Sequence, residues 1–206
     1  MVDENVMIDL ETLGTESDAV ILSIGAVWFD RYNVDESEGY YATLNWQDQL
    51  DRGGTVTEGT LRFWLNQSRQ ARDAILNKKP MRLEQTLIDF DQWFNDTVKK
   101  PRDCLVWAKG PQFDLALLRD LYRRTRRPSE RRPWITPWPY WSERDVRTAL
   151  MLVPQKIARA KGSVAHHAFY DAVYQANQVR RFLISCGGFA KKPTQETKVE
   201  TEDLLS

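Results

Sequence analysis

The chain has little that could cross a membrane or be stapled by disulfides. None of its apolar runs reaches the ~20 residues that a bilayer-spanning helix needs, so no membrane span is expected. Cysteine is scarce: Cys104 and Cys186 are the two in 206 residues, too few for a disulfide framework or a zinc site, and the apolar run around Cys104 suits a buried thiol. The N-terminus has no basic stretch followed by an apolar one, so no signal peptide is expected and the cytoplasm is the expected compartment. Excess charge is also missing. Lys and Arg total 29 against 29 for Asp and Glu, a balance that does not favour a nonspecific duplex binder, which is usually basic overall. Histidine is nearly absent, and the two present, His166 and His167, are adjacent.

What is there is ordinary for a soluble globular domain: 42% hydrophobic and 28% charged residues. A chain of this length is expected to form one domain over 1–188, followed by a polar, disordered tail over 189–206. Val6–Leu10, Ala19–Phe29 and Tyr40–Leu44 are expected as three sequential antiparallel strands. Thr55 and Glu58 have capping-box spacing before a helix through Leu61–Leu65. Leu83, Leu87, Phe90 and Phe94 recur at helical spacing. Leu105–Ala108 is expected as a buried strand, Phe113–Arg124 as a helix, and a short strand and helix follow around Arg144–Leu152. A last long helix carries Ala168, Ala172, Ala176, Val179 and Leu183, with Gly187 and Gly188 stopping it. This order predicts an α/β fold with a mixed central sheet of about five strands flanked by helices.

Acidic residues mark the ends of these elements. Residues two apart on a strand share a face, so Asp9 and Glu11 project together while Ile8 and Leu10 face a core. Paired carboxylates repel unless something neutralises them, and Mg²⁺ or Mn²⁺ takes such oxygen ligands. Taken alone, the pair is equally a strand end exposing two acids. Asp114 and Asp171, each at a helix start, are equally well read as residues favoured by the helix dipole.

Read together, the motifs are more specific. Asp9-Leu10-Glu11-Thr12, then Phe113-Asp114, then His166-His167-Ala168-Phe169-Tyr170-Asp171 resemble, in order and spacing over roughly residues 5–185, the DnaQ-like 3′–5′ exonucleases of the DEDD superfamily, histidine subtype. The look is nearest to phage-type exonucleases and to RNase AS-like exoribonucleases. The resemblance implies an RNase H-like fold. It also implies a metal-dependent 3′–5′ exonuclease that hydrolyses single-stranded nucleic acid to nucleoside 5′-monophosphates. Asp9, Glu11, Asp114 and Asp171 would hold two Mg²⁺ or Mn²⁺ ions and His166 would be the general base. His167 falls where the tyrosine subtype keeps its base, whereas His166 and Ala168 match the histidine subtype. Thr12 and Leu13 match positions that meet the terminal sugar and base. Lys109 and Phe113 fall in the middle motif, where Lys109 replaces the usual Asn and leaves substrate contacts of that loop open.

DNA is the favoured substrate from the phage-like look. The alternatives are an exoribonuclease of the RNase AS or RNase T type, and a catalytically silent nucleic-acid-binding module. Arg119, Arg123, Arg124, Arg126, Arg127, Arg131 and Arg132 crowd a segment with Trp134, Trp138 and Trp141. That segment reads as a helix end and solvated loop, as an arm tracking phosphates with stacking tryptophans, or as a homodimer surface. The expected partners are single-stranded 3′ ends and a second copy of the chain.

Overall fold

Alternation along the first strand decides the layout. β1 (Asn5–Thr12) sends Val6, Ile8 and Leu10 to one side of the sheet and Met7, Asp9 and Glu11 to the other. The computed structural model describes residues 4–76, 79–125, 134–154 and 157–186; the tail from 187 and the arginines between 126 and 132 lie outside the described residues. β2 (Ile21–Phe29) pairs antiparallel with β1, and β3 (Tyr40–Thr43) pairs antiparallel with β2, as the sequence predicts. β4 (Leu105–Ala108) runs parallel to β1, and β5 (Glu143–Asp145) parallel to β4. The result is a five-stranded mixed sheet in the order β3-β2-β1-β4-β5.

Helices cover both faces. α4 (Leu83–Thr97) and α5 (Asp114–Thr125) bring Leu87, Phe90, Phe94, Leu118 and Tyr122 against Val6, Ile8, Leu10 and Ile24. On the opposite face, α6 (Val146–Leu152) and α7 (Ala168–Ser185) bring Val146, Ala172, Ala176 and Val179 against Met7, Val27, Phe29 and Trp107. Trp138 is fully buried against Phe90 and Phe94, so it belongs to the core and is not a stacking platform; Trp141 is 47% exposed and meets Trp134 edge-on.

Three short helices fill the excursion between β3 and α4. α1 (Trp46–Leu50) carries too few turns to be read from periodicity, and α3 (Arg69–Leu76) is a helix the sequence reading does not include. α2 (Glu58–Leu65) was expected with a Thr55–Glu58 capping box and has none. Its N-cap is Thr57, whose hydroxyl pairs with Thr60, while Thr55 donates to Asp18. The spacing was right for a box, but Thr55 is held in a bridge to Ala19, outside the helix.

One glycine sets how close α7 can come. Gly25 lies opposite Asp9 in the β1–β2 register, so it shares the acidic face. A Cβ there would sit 2.1 Å from the Ala168 carbonyl carbon and 2.2 Å from the Phe169 nitrogen. The bare backbone therefore admits the first turn of α7 directly against the strands.

Candidate active site

The close approach of α7 delivers Asp171 to the acidic end of β1. Asp171 lies in the first turn of α7 and is 8% exposed; Glu11 is also 8% exposed. Glu11, His166 and Asp171 each present a ligand atom within 4.8 Å of the others. Asp114 arrives from the other side of β1, at the first position of α5, and its Oδ1 accepts the Leu10 amide at 3.2 Å. That bond ties the α5 start to the strand between Asp9 and Glu11. The four carboxylates predicted from the sequence thus converge from β1, α5 and α7.

Their mutual field is strong. Burial pushes the Glu11 carboxyl from the ordinary 4.5 to about 8, with Asp171 and Asp114 adding repulsion and Arg159 opposing it. Burial likewise lifts Asp114 from 3.8 to about 7, against the Leu10 hydrogen bond and the Arg147 charge. Asp9 keeps a partly exposed surface, yet burial of its carboxylate, Asp114, Glu11 and Asp171 all drive it upward. A divalent cation with hard oxygen preferences relieves this kind of repulsion, so the donor set fits Mg²⁺ or Mn²⁺.

The two histidines part company at the entrance to α7. His166 adopts a left-handed φ of 59°, uncommon for a side-chain-bearing residue. Its amide donates to Asp171 Oδ2 at 3.1 Å. That turn throws its ring toward Glu11 and Asp171, with Phe63 edge-on at 5.0 Å between centroids. His167 goes elsewhere, stacking on Tyr41 at 4.2 Å.

The other predicted positions are distributed unevenly. Thr12 is buried, donates its hydroxyl to the Gly14 carbonyl at 2.7 Å, and accepts Trp64 Nε1 on its own carbonyl at 2.8 Å. Leu13 is buried and lines an apolar cavity of about 250 Å³ with Leu22, Trp46, Leu61, Trp64 and Ile75. Lys109 is exposed, and Phe113 is half-buried against the core. Of the arginine run, Arg119 pairs with Glu143, Arg124 pairs with Asp120, and Arg123 is exposed.

Two site residues escaped the sequence reading. Gln175 is 5% exposed and donates Nε2 to Asp9 Oδ1 at 2.7 Å. It stands four residues after Asp171 on the same helix face, a spacing that could have exposed it. Arg159 pairs with Asp171 from an irregular loop that carries no periodic signal.

The chain is similar to known nucleases. Residues 4–183 match the model of the 3′–5′ exoribonuclease Rv2179c-like domain. The exodeoxyribonuclease of Enterobacteria phage T4 is 26% identical over 215 residues, covering 92% of this chain and 93% of the relative. Among solved structures, exonuclease I of E. coli in complex with a dT13 oligonucleotide superposes with a TM-score of 0.59 at 16% identity, over 88% of this chain and 41% of the other. Cell-death related nuclease 4 (CRN-4) superposes with a TM-score of 0.51 at 13% identity, over 90% of this chain and 64% of the other. The chain therefore spans less than two thirds of either solved chain, and these likenesses establish the RNase H-like fold.

Proposed function

Because the chain belongs to the 3′–5′ exoribonuclease Rv2179c-like family and is a 3′–5′ exonuclease, we propose that it shortens single-stranded nucleic acid by one nucleoside 5′-monophosphate at a time, with two Mg²⁺ or Mn²⁺ ions held by Asp9, Glu11, Asp114 and Asp171. The observation that carries this reading is the convergence of those four carboxylates beside one imidazole, with Asp9 and Glu11 driven toward protonation by burial and mutual repulsion and Asp114 by burial. Bound divalent ions supply Lewis acidity toward water and the phosphoryl group.

The chain's own residues do the rest. The His166 imidazole takes the proton of the attacking water, and its position is set by the left-handed turn and by its amide bond to Asp171. A new P–O bond forms in line with the breaking bond to the 3′-oxygen, which leaves and takes up a proton. Gln175 fixes one oxygen of Asp9 and so leaves the other to face the site. The Leu10 amide does the same for Asp114. Phe63, 40% exposed and edge-on to His166, offers a face for the terminal base, and the Thr12–Leu13 turn closes that end of the site.

DNA is the substrate we favour, because the phage relative that matches along nearly its whole length is an exodeoxyribonuclease. The exoribonuclease description of the family supports RNA as the second reading. The test is a paired digestion. Matched 5′-labelled single strands of DNA and RNA are incubated with Mn²⁺, Mg²⁺ or EDTA, with Asp171→Ala as control. A ladder that shortens from the 3′ end, absent in EDTA and in the variant, is expected, and the faster strand settles the sugar. Cleavage that persists in EDTA would sink the metal assignment. No cleavage of either strand would leave a silent binding module on the same fold.

A further inference from the structure

Arg159 belongs to none of the sequence motifs, yet its guanidinium is paired with Asp171 Oδ1. The other oxygen of Asp171 accepts the His166 amide. A protein cation thus occupies the free side of a carboxylate that should ligate a divalent ion. Arg159 is also partly open to solvent. Its side chain is 38% exposed, and its guanidinium carbon lies 4.6 Å from the centre of the Tyr174 ring. The Tyr174 hydroxyl donates to the Ile157 carbonyl at 3.2 Å, which pins the loop two residues before Arg159. The neighbours Ile157, Ala158, Ala160 and Lys161 line a groove of about 600 Å³ against Tyr170 and Tyr174. The loop that carries Arg159 is therefore anchored and borders this groove.

A guanidinium and a divalent cation repel when they share one carboxylate, so each weakens the other's hold on it. A planar guanidinium beside a phosphodiester has a ready second partner, since its paired N–H groups match phosphate oxygens. We propose that Arg159 is a built-in counter-ion that holds Asp171 until a divalent cation displaces it, and that it then turns to a phosphate of the bound strand. This rests on the nuclease reading above and adds to it an exchange: metal and Arg159 compete for Asp171, whereas Arg159 and the ion cooperate on the substrate.

The exchange predicts effects of opposite sign, which a merely structural arginine would not produce. Arg159→Met keeps the stem over Tyr174 and removes the charge. In a calorimetric titration of the full chain with Mn²⁺ alone, that variant is expected to bind about tenfold tighter than the parent. In steady-state assays on the strand type that the parent degrades, its KM is expected to rise about tenfold while kcat changes less. Arg159→Lys should fall between the two in KM, because an ammonium keeps the charge and loses the fork. Unchanged or weaker Mn²⁺ binding by Arg159→Met would overturn the competition, and an unchanged KM beside tighter Mn²⁺ would overturn the phosphate contact. If the parent neither binds Mn²⁺ nor shortens a strand, the nuclease reading fails and this inference with it. If the parent does both and Arg159→Met alters neither, only the role of Arg159 falls.

Discussion

The two faces of the sheet use the same strand for different ends. On the side of α4 and α5, Val6, Ile8 and Leu10 of β1 meet Leu87, Phe90, Phe94 and Leu118. On the side of α6 and α7, the face is apolar only at one end, where Met7, Val27 and Phe29 meet Ala172, Ala176 and Val179. At the other end it carries Asp9 and Glu11, with bare Gly25 alongside. The first face holds the strand rigid through burial, and the second spends that rigidity on holding carboxylates that would otherwise separate. α7 does both jobs along its length, packing through its alanines and presenting Asp171 and Gln175 from its first two turns.

Replacing a carboxylate on the acidic face should break its function and leave the other face standing. Asp9→Asn or Asp171→Asn is expected to abolish strand shortening and to weaken Mn²⁺ binding by calorimetry. An unchanged Mn²⁺ titration in both variants would remove the metal site from β1 and α7. His166→Ala should lower turnover by ~10²–10⁴-fold while Mn²⁺ binding survives, because a positioned base contributes about that much. His167→Ala should cost far less turnover, since its ring stacks on Tyr41 while His166 is the imidazole grouped with Glu11 and Asp171. The reverse pattern in turnover would transfer the base to His167.

On the apolar face, Phe90→Ala should cost ~3–5 kcal/mol of stability by urea unfolding, as buried aromatic truncations do, while the fraction still folded keeps the Mn²⁺ affinity of the parent. Loss of Mn²⁺ affinity in folded Phe90→Ala would show that the two faces are not separable.

A further effect is electrostatic. Without metal, Glu11 holds its proton to about pH 8 and Asp114 to about pH 7, whereas in the unfolded chain they ionise near 4.5 and 3.8. Between those limits the folded chain binds more protons than the unfolded one, so stability from these groups is present at low pH and is lost as pH rises. The midpoint of thermal unfolding in EDTA should therefore fall between about pH 5.5 and pH 8.5, and Mn²⁺ should reverse the fall. A midpoint that rises over this range in EDTA would contradict the raised carboxyls.

Much of this was legible in the chain before its structure. The period of β1 separated Ile8 and Leu10 from Asp9 and Glu11, and Leu83, Leu87, Phe90 and Phe94 marked the buried stripe of α4. The motif order led to the RNase H-like fold and the exonuclease chemistry that the family match supports. The short α1 was not legible, because five residues hold too few turns for a period to show. Trp138 among prolines was open to several readings, a stacking platform among them, and the packing of Phe90 and Phe94 makes it core.

By itself the sequence determined which residues carry charge, which face of each element is apolar and the order in which the acids appear, since these depend on local spacing alone. The tertiary structure decided how the acids meet. Gly25 admits α7, the Leu10 amide ties Asp114 to β1, a left-handed turn separates His166 from His167, and Arg159 reaches Asp171 from a loop. Each of these joins residues far apart along the chain or depends on a single backbone angle, and neither leaves a period or composition in the sequence to be read.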